Sequence, residues 1–329
     1  MPQATGVNAK VIYDVETTFK TTPGTPASLV LPIISESISA KRNLFKTNVI
    51  RGNRNVTMPK RGNKDVSGTL NTELNPYMGK ILKHLLGANT TTGANPYTHT
   101  MKVGALPVSL CLEKQFLDLA APQYFLYNGV RINKASFAFG SEGVVPLGLD
   151  FIGAKETVSG TSFHASPVDL GHIPWDIFEC VILEGGSAIA VVSDIAFDVE
   201  NQLDAGVYVI GGNGERRAIP KGSTLVSGTL TALFEDMVTL NKAINFTESA
   251  IKLTLSRGDG LGSAGNESQE LYIPPECEAW PSRHYPAPRC RLSLPPYGLY
   301  DSVTIRAIEP ALTPPLLHSS PQLPPFAIY

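Results

Sequence analysis

The stretch VSGTLNTELNPYMGKILKHLLG, Val66 to Gly87, returns in altered form as VSGTLTALFEDMVTLNKAIN, Val226 to Asn245. In each copy a short run of β-branched and small residues leads into a helical pattern. Leu74, Met78, Ile81, Leu82 and Leu85 form one apolar stripe, and Leu233, Met237, Leu240 and Ile244 form its counterpart, because residues three and four apart share a helix face. Asn75 is the expected N-cap of the first helix, with Pro76 at its first position and Gly87 just past its end. Those residue types satisfy or remove the orphan backbone groups of a helix terminus. Glu235 and Asp236 open the second helix, where the helix dipole favours carboxylates. The offset between the copies, close to half the chain, is far too long for a solenoid period. It points to two domains of one kind, at 1–173 and 174–329.

Length and composition agree. A chain of 329 residues that is 43% hydrophobic has material for two packed cores. Twenty-seven basic against 29 acidic residues leave a net charge of -2, so the chain as a whole does not call for nucleic acid or an anionic membrane. Cys111, Cys180, Cys277 and Cys290 form no C-x-x-C pair and are widely scattered, which argues against a disulfide framework. There is no apolar run of signal-peptide or membrane-spanning length, so a soluble, unexported protein is expected.

In chain order, strand-like runs are expected at Val11 to Tyr13, Leu29 to Ile34, Val66 to Leu70, Pro107 to Leu112, Tyr124 to Tyr127, Ala135 to Phe139 and Leu147 to Ile152. The segment NTTTGANPY, Asn89 to Tyr97, reads as a loop; Asn128-Gly129 and Gly140 to Gly143 read as hairpin turns. Lys155 to Pro174, rich in Ser, Thr, Gly and Pro, is the expected link between the halves. Ile177 to Leu183 and Ile189 to Val192 then flank a turn at Gly185-Gly186-Ser187, and Ile195, Phe197 and Val199 alternate with Ala196 and Asp198. A Gly-rich excursion, VIGGNGERRAIPKGST, stands where a basic one stood in the first half, and Ile251, Leu253 and Leu255 mark another strand. From Pro274 onward the chain carries half of its 26 prolines, leaving room for edge strands around Arg289 to Leu294 and Val303 to Ile308.

A search for chemistry yields little. Gly260, Gly262 and Gly265 spell G-x-G-x-x-G, but no amphipathic helix follows to hold a pyrophosphate, and a hairpin turn is the better reading. Arg257-Gly258-Asp259 spells an adhesion tripeptide made of common loop residues. Cys277, His284 and Cys290 lack a fourth zinc ligand and a usual spacing. His84, one helical step from Ile81, reads as a packed or surface histidine. No hydrolase, metalloprotease or P-loop signature is present. Neither an enzyme nor a cofactor is indicated.

One charge feature has content. Lys41, Arg42, Lys46, Arg51, Arg54, Lys60, Arg61 and Lys64 fall in one stretch without an acidic residue. Only Phe45 offers a stacking ring there, whereas surfaces that bind nucleic-acid strands interleave several aromatics with the charge. A solvated loop, or one that docks on an acidic surface of a neighbouring subunit or ring, fits better. Its second-half counterpart carries Asp198, Glu200, Asp204 and Glu215 along with its arginines, so the two copies differ in charge where they would meet.

The runs SDIAFDVENQLDAGVYVIGGNGERRAIPKGSTLVSGTLTALFEDMVTLNKA, GNKDVSGTLNTELNPYMGKILKHLLGA and YNGVRINKASFAFGSEGVVPLGLDFIG resemble the tail tube proteins of long-tailed, siphovirus-type bacteriophages. The resemblance extends from the start of the chain to about Pro275 and weakens after Tyr272. It implies a mainly β fold, with two tandem β-sandwich or half-barrel domains, one flanking helix each, whose sheets join into a ring barrel on oligomerisation. It also implies a virion tail protein that is assembled in the host cytoplasm and stacks in rings as a conduit for DNA. Its partners would be copies of itself, three per ring in preference to six, and tape-measure, tail terminator and distal tail proteins. Such a conduit must not hold DNA, since each neutralised phosphate adds affinity; the basic loop is therefore expected outside the lumen. A β-sandwich adhesin or carbohydrate-binding module is the competing class. Against it, Trp175 and Trp280 both lie in Pro-containing loops, a poor basis for a sugar-stacking platform.

Overall fold

The structure, a computed structural model, describes residues 4–50, 52, 55, 57–93, 97–189, 191–233, 250–260, 266–273, 280–281, 289–293 and 304–309, with side chains up to Ile273. In chain order come β1 (Ala9–Glu16), β2 (Leu29–Leu31), β3 (Ser35–Glu36), β4 (Ser39–Phe45), β5 (Lys60–Glu73), the helix α1 (Gly79–Leu86), β6 (Gly87–Thr92), β7 (Tyr97–Val103), β8 (Ser109–Phe116), β9 (Gln123–Phe139), β10 (Pro146–Gly153) and β11 (Lys155–Ser159). Beyond residue 173 follow β12 (Cys180–Glu184), β13 (Ser187–Ala188), β14 (Val192–Glu200), β15 (Leu225–Leu233), β16 (Ile251–Ser256), β17 (Ser268–Ile273), β18 (Trp280–Pro281), β19 (Arg289–Ser293) and β20 (Thr304–Glu309). The fold is mainly β, with large antiparallel sheets consistent with a β-sandwich.

Thirteen strands form one sheet whose main path runs β18-β19-β15-β14-β9-β10-β5-β3, with β4 on β5 and with β1, β2, β8 and β11 attached around β9. Seven more run β13-β12-β16-β17-β20-β7-β6. Burial alternates along β10 and β14, as expected when one face of an antiparallel sheet meets the core and the other meets solvent. The repeated VSGTL lies in β5 and β15, and its glycine has the same use twice. A Cβ on Gly68 would stand 2.4 Å from Ile38 Cα, and one on Gly228 would stand 2.5 Å from the Ala196 carbonyl oxygen. Only glycine lets the neighbouring backbone come so close.

Several expectations are corrected. Asn128-Gly129 is not a hairpin turn but a corner inside β9. The segment before it pairs with β8 and β11, and the segment after it with β10 and β14. Gly129 has φ +64 there. The buried Glu16 carboxylate holds this corner, accepting hydrogen bonds from Asn128 Nδ2 at 2.9 Å, Gly129 N at 3.1 Å, Ser109 Oγ at 2.5 Å and Lys20 N at 2.9 Å. Burial raises the Glu16 carboxyl above its ordinary range in spite of these donors. The segment read as a loop, NTTTGANPY, instead contributes most of β6 to the β6–β7 hairpin, because its β-branched threonines fit a pleated surface. The first five residues of the expected link, Lys155–Ser159, pair with β9 as β11.

The first helix starts later than the caps suggested. Asn75 Oδ1 accepts from Tyr77 N at 2.9 Å, so Asn75 and Pro76 form a turn, which their chemistry also favours. Met78 is the N-cap, and Gly87 stands at the C-cap as expected. Leu74 and Met78 thus precede the helix yet are buried with Ile81, Leu82 and Leu85 in the same core. Leu233 closes β15 at the edge of the described segment and is half-exposed. Met237, Leu240 and Ile244 lie outside the described residues. Among the described residues no helix is long and apolar enough to cross a membrane.

Two measurements test this packing. Leu82→Ala should cost about 2–5 kcal/mol in denaturant unfolding, the range for a cavity in a packed core. His84 is buried on α1, its Nδ1 2.8 Å from the Lys80 carbonyl and its Nε2 without a hydrogen-bond partner among the described residues. Burial lowers its imidazole from 6.5 to about 4. The unfolded chain therefore binds the proton first, and stability should fall by about 3 kcal/mol as pH drops from 6.5 to about 4. Most of that slope should disappear in His84→Leu.

Candidate assembly surface

The two halves of the chain meet through a β-ladder. β14 pairs with the second part of β9, bringing Ile195 opposite Phe139, Phe197 opposite Phe137 and Val199 opposite Ala135. The Phe137 and Phe197 rings stack with centroids 4.9 Å apart. On the other face Lys134 Nζ lies 3.0 Å from Asp198, and that bond raises the lysine above its ordinary range. Just past β14, buried Asn201 donates from Nδ2 to the Leu85 carbonyl at 2.9 Å and to the Ile132 carbonyl at 3.1 Å. A second-half amide thus satisfies a last-turn carbonyl of α1, which has no partner within the helix.

The Gly-rich excursion after β14 extends this contact. Arg216 is only 3% exposed. Its guanidinium donates to the carbonyls of Ala205 at 2.7 Å, Val66 at 2.9 Å and Gly153 at 2.6 Å, and pairs with Asp65. The Tyr208 ring lies 5.7 Å away, and its hydroxyl donates to the Lys64 carbonyl at 2.9 Å. Lys64 N donates to the Gly214 carbonyl at 2.7 Å. Glu215 meets Lys20 at 2.8 Å and Lys64 at 3.4 Å; burial pushes its carboxyl up, but the two lysines hold it below its ordinary range. Arginine suits this place because its rigid fork reaches several acceptors at once.

The predicted basic residues are divided by the structure. Lys41 and Arg42 lie on β4, Lys60, Arg61 and Lys64 on β5, and Lys46 in the connection between them. Arg51 and Arg54 lie outside the described residues. Arg42 donates to the Asn213 carbonyl at 3.3 Å and Lys64 meets Glu215, so these two face the chain's own second half. Lys41, Lys46, Lys60 and Arg61 are exposed. Around them Leu44, Phe45, Val49, Ile50 and Met58 are exposed too, Ile50 at 96%. Sequence reasoning missed Arg216 as a clamp. A usable signal was present: Val49-Ile50-Arg51-Gly52-Asn53 and Val209-Ile210-Gly211-Gly212-Asn213 repeat at the same offset as the two copies of VSGTL.

The competing sites find little support. Trp175 is fully buried; its Nε1 donates to Gln269 at 2.8 Å, and the Arg257 guanidinium lies 4.6 Å from its ring. Arg257 is bound bidentately to Glu179 at 2.6 and 2.9 Å and also donates to the Pro174 carbonyl. The tripeptide arginine is therefore engaged inside the protein, and Trp175 offers no exposed ring for a sugar. Gly260 lies in the connection of the β16–β17 hairpin, with a strand and not a helix behind it. Cys277 and His284 lie outside the described residues, and no metal-binding cluster occurs among those described.

What remains is a β-sheet building block with one sheet passing through both halves and, among the described residues, a strand edge without a partner at each end of its path. The pattern of the phage tail tube protein family matches residues 6–288, and the chain belongs to that family. No curated protein matches it significantly. As a member it is a structural component of the phage tail. Arg216→Met should destabilise the monomer measurably in urea unfolding, since each buried carbonyl left without a donor costs about 1–3 kcal/mol. Arg216→Lys should recover only part of that loss, because an ammonium lacks the planar fork.

Proposed function

We propose that the chain is the repeating subunit of the tail tube, closing into rings of three chains that stack as the conduit for DNA. One observation carries this reading. The long sheet ends at β18 on one side and at β3 and β4 on the other, and among the described residues β4 pairs only with β5. Two different free edges on one subunit join head to tail, and such heterologous contacts generate rings when the rotation closes. Closure also removes the exposed edges that would otherwise template aggregation.

The seam inside the chain supplies the pattern for the seam between chains. β1, β8 and β9 pair in series as β12, β16 and β17 do, and β4, β5 and β10 pair in series as β14, β15 and β19 do. This recurrence supports two tube domains, at 1–173 and 174–329, within each subunit. β14 stands in the second half where β4 stands in the first, and its outer edge is taken by β9. The outer edge of β4 is then the place for the corresponding strand of the next chain, from the β18–β19 end. Three such chains give pseudo-sixfold symmetry. The tube would carry DNA without binding it, meet tape-measure, terminator and distal tail proteins at its ends, and perform no catalysis.

Negative-stain images of purified protein should show rings or tubes, with ring mass three times the 35.3 kDa chain. Each joint should bury more than the roughly 1,600 Å² of a standard interface. Six chains per ring would overturn the stoichiometry, and a monomer under all conditions would overturn the tube reading.

A further inference from the structure

We infer that Asn213 is a site of spontaneous covalent modification, at which the Gly214 backbone nitrogen attacks the asparagine side chain, and that its conversion to isoaspartate loosens the Arg216 clamp between the two halves. The site belongs to the single chain and does not depend on the ring reading.

An asparagine followed by glycine carries its own reaction. Hydroxide takes the proton from the glycine backbone nitrogen, and that nitrogen attacks the asparagine Cγ. The N–Cγ bond forms, the Cγ–Nδ2 bond breaks, and the side-chain nitrogen leaves as ammonia, giving a cyclic succinimide. Water then opens one of the two imide carbonyls, leaving either aspartate or isoaspartate, in which the backbone runs through the side-chain methylene. Glycine permits the attack because no Cβ crowds its nitrogen.

The chain has two Asn-Gly pairs, Asn128-Gly129 and Asn213-Gly214, and the fold treats them oppositely. Asn128 is buried, its Nδ2 donating to Glu16 and to Thr22 Oγ1, each at 2.9 Å, while Gly129 N donates to Glu16 at 3.1 Å. Both reacting groups are occupied and shielded from hydroxide. Asn213 is exposed. With φ +55 at Asn213 and +74 at Gly214, the pair forms a turn of the primed kind that Asn-Gly favours, closed by Glu215 N on the Gly212 carbonyl at 2.9 Å. That bond spans the pair without using it. Among the described residues neither the Asn213 side-chain amide nor Gly214 N has a hydrogen-bond partner.

Arg42 adds an activating charge. When Gly214 N loses its proton, the negative charge spreads along the peptide bond onto the Asn213 carbonyl oxygen. Arg42 donates to that oxygen at 3.3 Å, and a cation placed where charge develops favours the step that creates it. The product disturbs what lies next to it. The Gly214 carbonyl accepts from Lys64 N at 2.7 Å, and Gly214 is seated so closely on β5 that a Cβ would stand 3.0 Å from the Gly62 carbonyl oxygen and 3.2 Å from Asn63 Cα. Glu215 on its two lysines and Arg216 on the Val66 and Gly153 carbonyls follow directly. An isoaspartate lengthens the backbone just before this docked run and places a second carboxylate beside Glu215, so the turn no longer delivers the run in register.

The test is peptide mapping by mass spectrometry, with enzymatic labelling of isoaspartate, on the purified chain stored in mildly alkaline buffer. Isoaspartate should accumulate at Asn213 about tenfold or more faster than at Asn128, which reacts only after local opening. Conversion should quicken as pH rises and slow in Arg42→Met. The unfolding midpoint of the stored wild type should fall in step with conversion. Asn213→Gly, which keeps the positive φ and removes the amide, should hold its midpoint through storage. Asn213 left intact while a short unfolded peptide of the same sequence converts, or equal conversion at both pairs, would overturn the site. An unchanged rate in Arg42→Met would overturn the part assigned to that cation, and full conversion without a fall in midpoint would overturn the link to the Arg216 clamp.

Discussion

The hydrogen-bonded ladder between β9 and β14 is the constraint on which the rest of this structure depends. A backbone edge buried between two halves must find partners for every N–H and C=O, and a ladder satisfies them in series. Once β14 lies on β9, Phe197 stacks on Phe137, Asn201 reaches the end of α1, and the Gly-rich excursion is delivered to the start of β5. The two halves therefore share one continuous sheet instead of touching through side chains alone.

Two buried charges fix the places where this continuity bends or crosses. Glu16 holds the corner at Gly129, where β9 passes from one group of strands to another. Arg216 ties the second-half excursion to β5 and β10. In both cases the charge is satisfied mainly by backbone groups and neutral side chains, so its worth lies in orientation more than in Coulomb attraction, which burial offsets. Each sits where a regular ladder is interrupted and backbone groups would otherwise lack partners.

The same physics extends outward from the chain. Among the described residues the two ends of the long sheet, β18 and the β3 and β4 pair, are unlike and carry no further strand, and an edge without a partner is a place where another strand can pair. That fold-level property suits a structural component of the phage tail, as membership of the phage tail tube protein family makes it.

Much of the fold was legible in local pattern. Period-two alternation located β10 and β14, the helical stripe located α1, and the repeated VSGTL marked corresponding strands, because each signal arises from one face meeting a core. The shared glycine of that repeat was visible too, but its reason, a neighbouring backbone lying where a Cβ would have to go, was not. Asn128-Gly129 shows the limit most clearly: the sequence alone favours a tight turn, whereas in the fold the buried Glu16 carboxylate accepts from both residues at a corner inside one long strand. The basic stretch was equally readable as charge, yet which of its residues face Glu215 and Asn213 depended on how a loop from the other half of the chain folds back. Sequence by itself determined many of the strands, the approximate place of the first helix and the repeat, since these follow from neighbours along the chain. Tertiary structure decided the seam, the corner and the docked excursion, because their partners are distant in sequence and their energies exist only once the backbone groups involved leave water together.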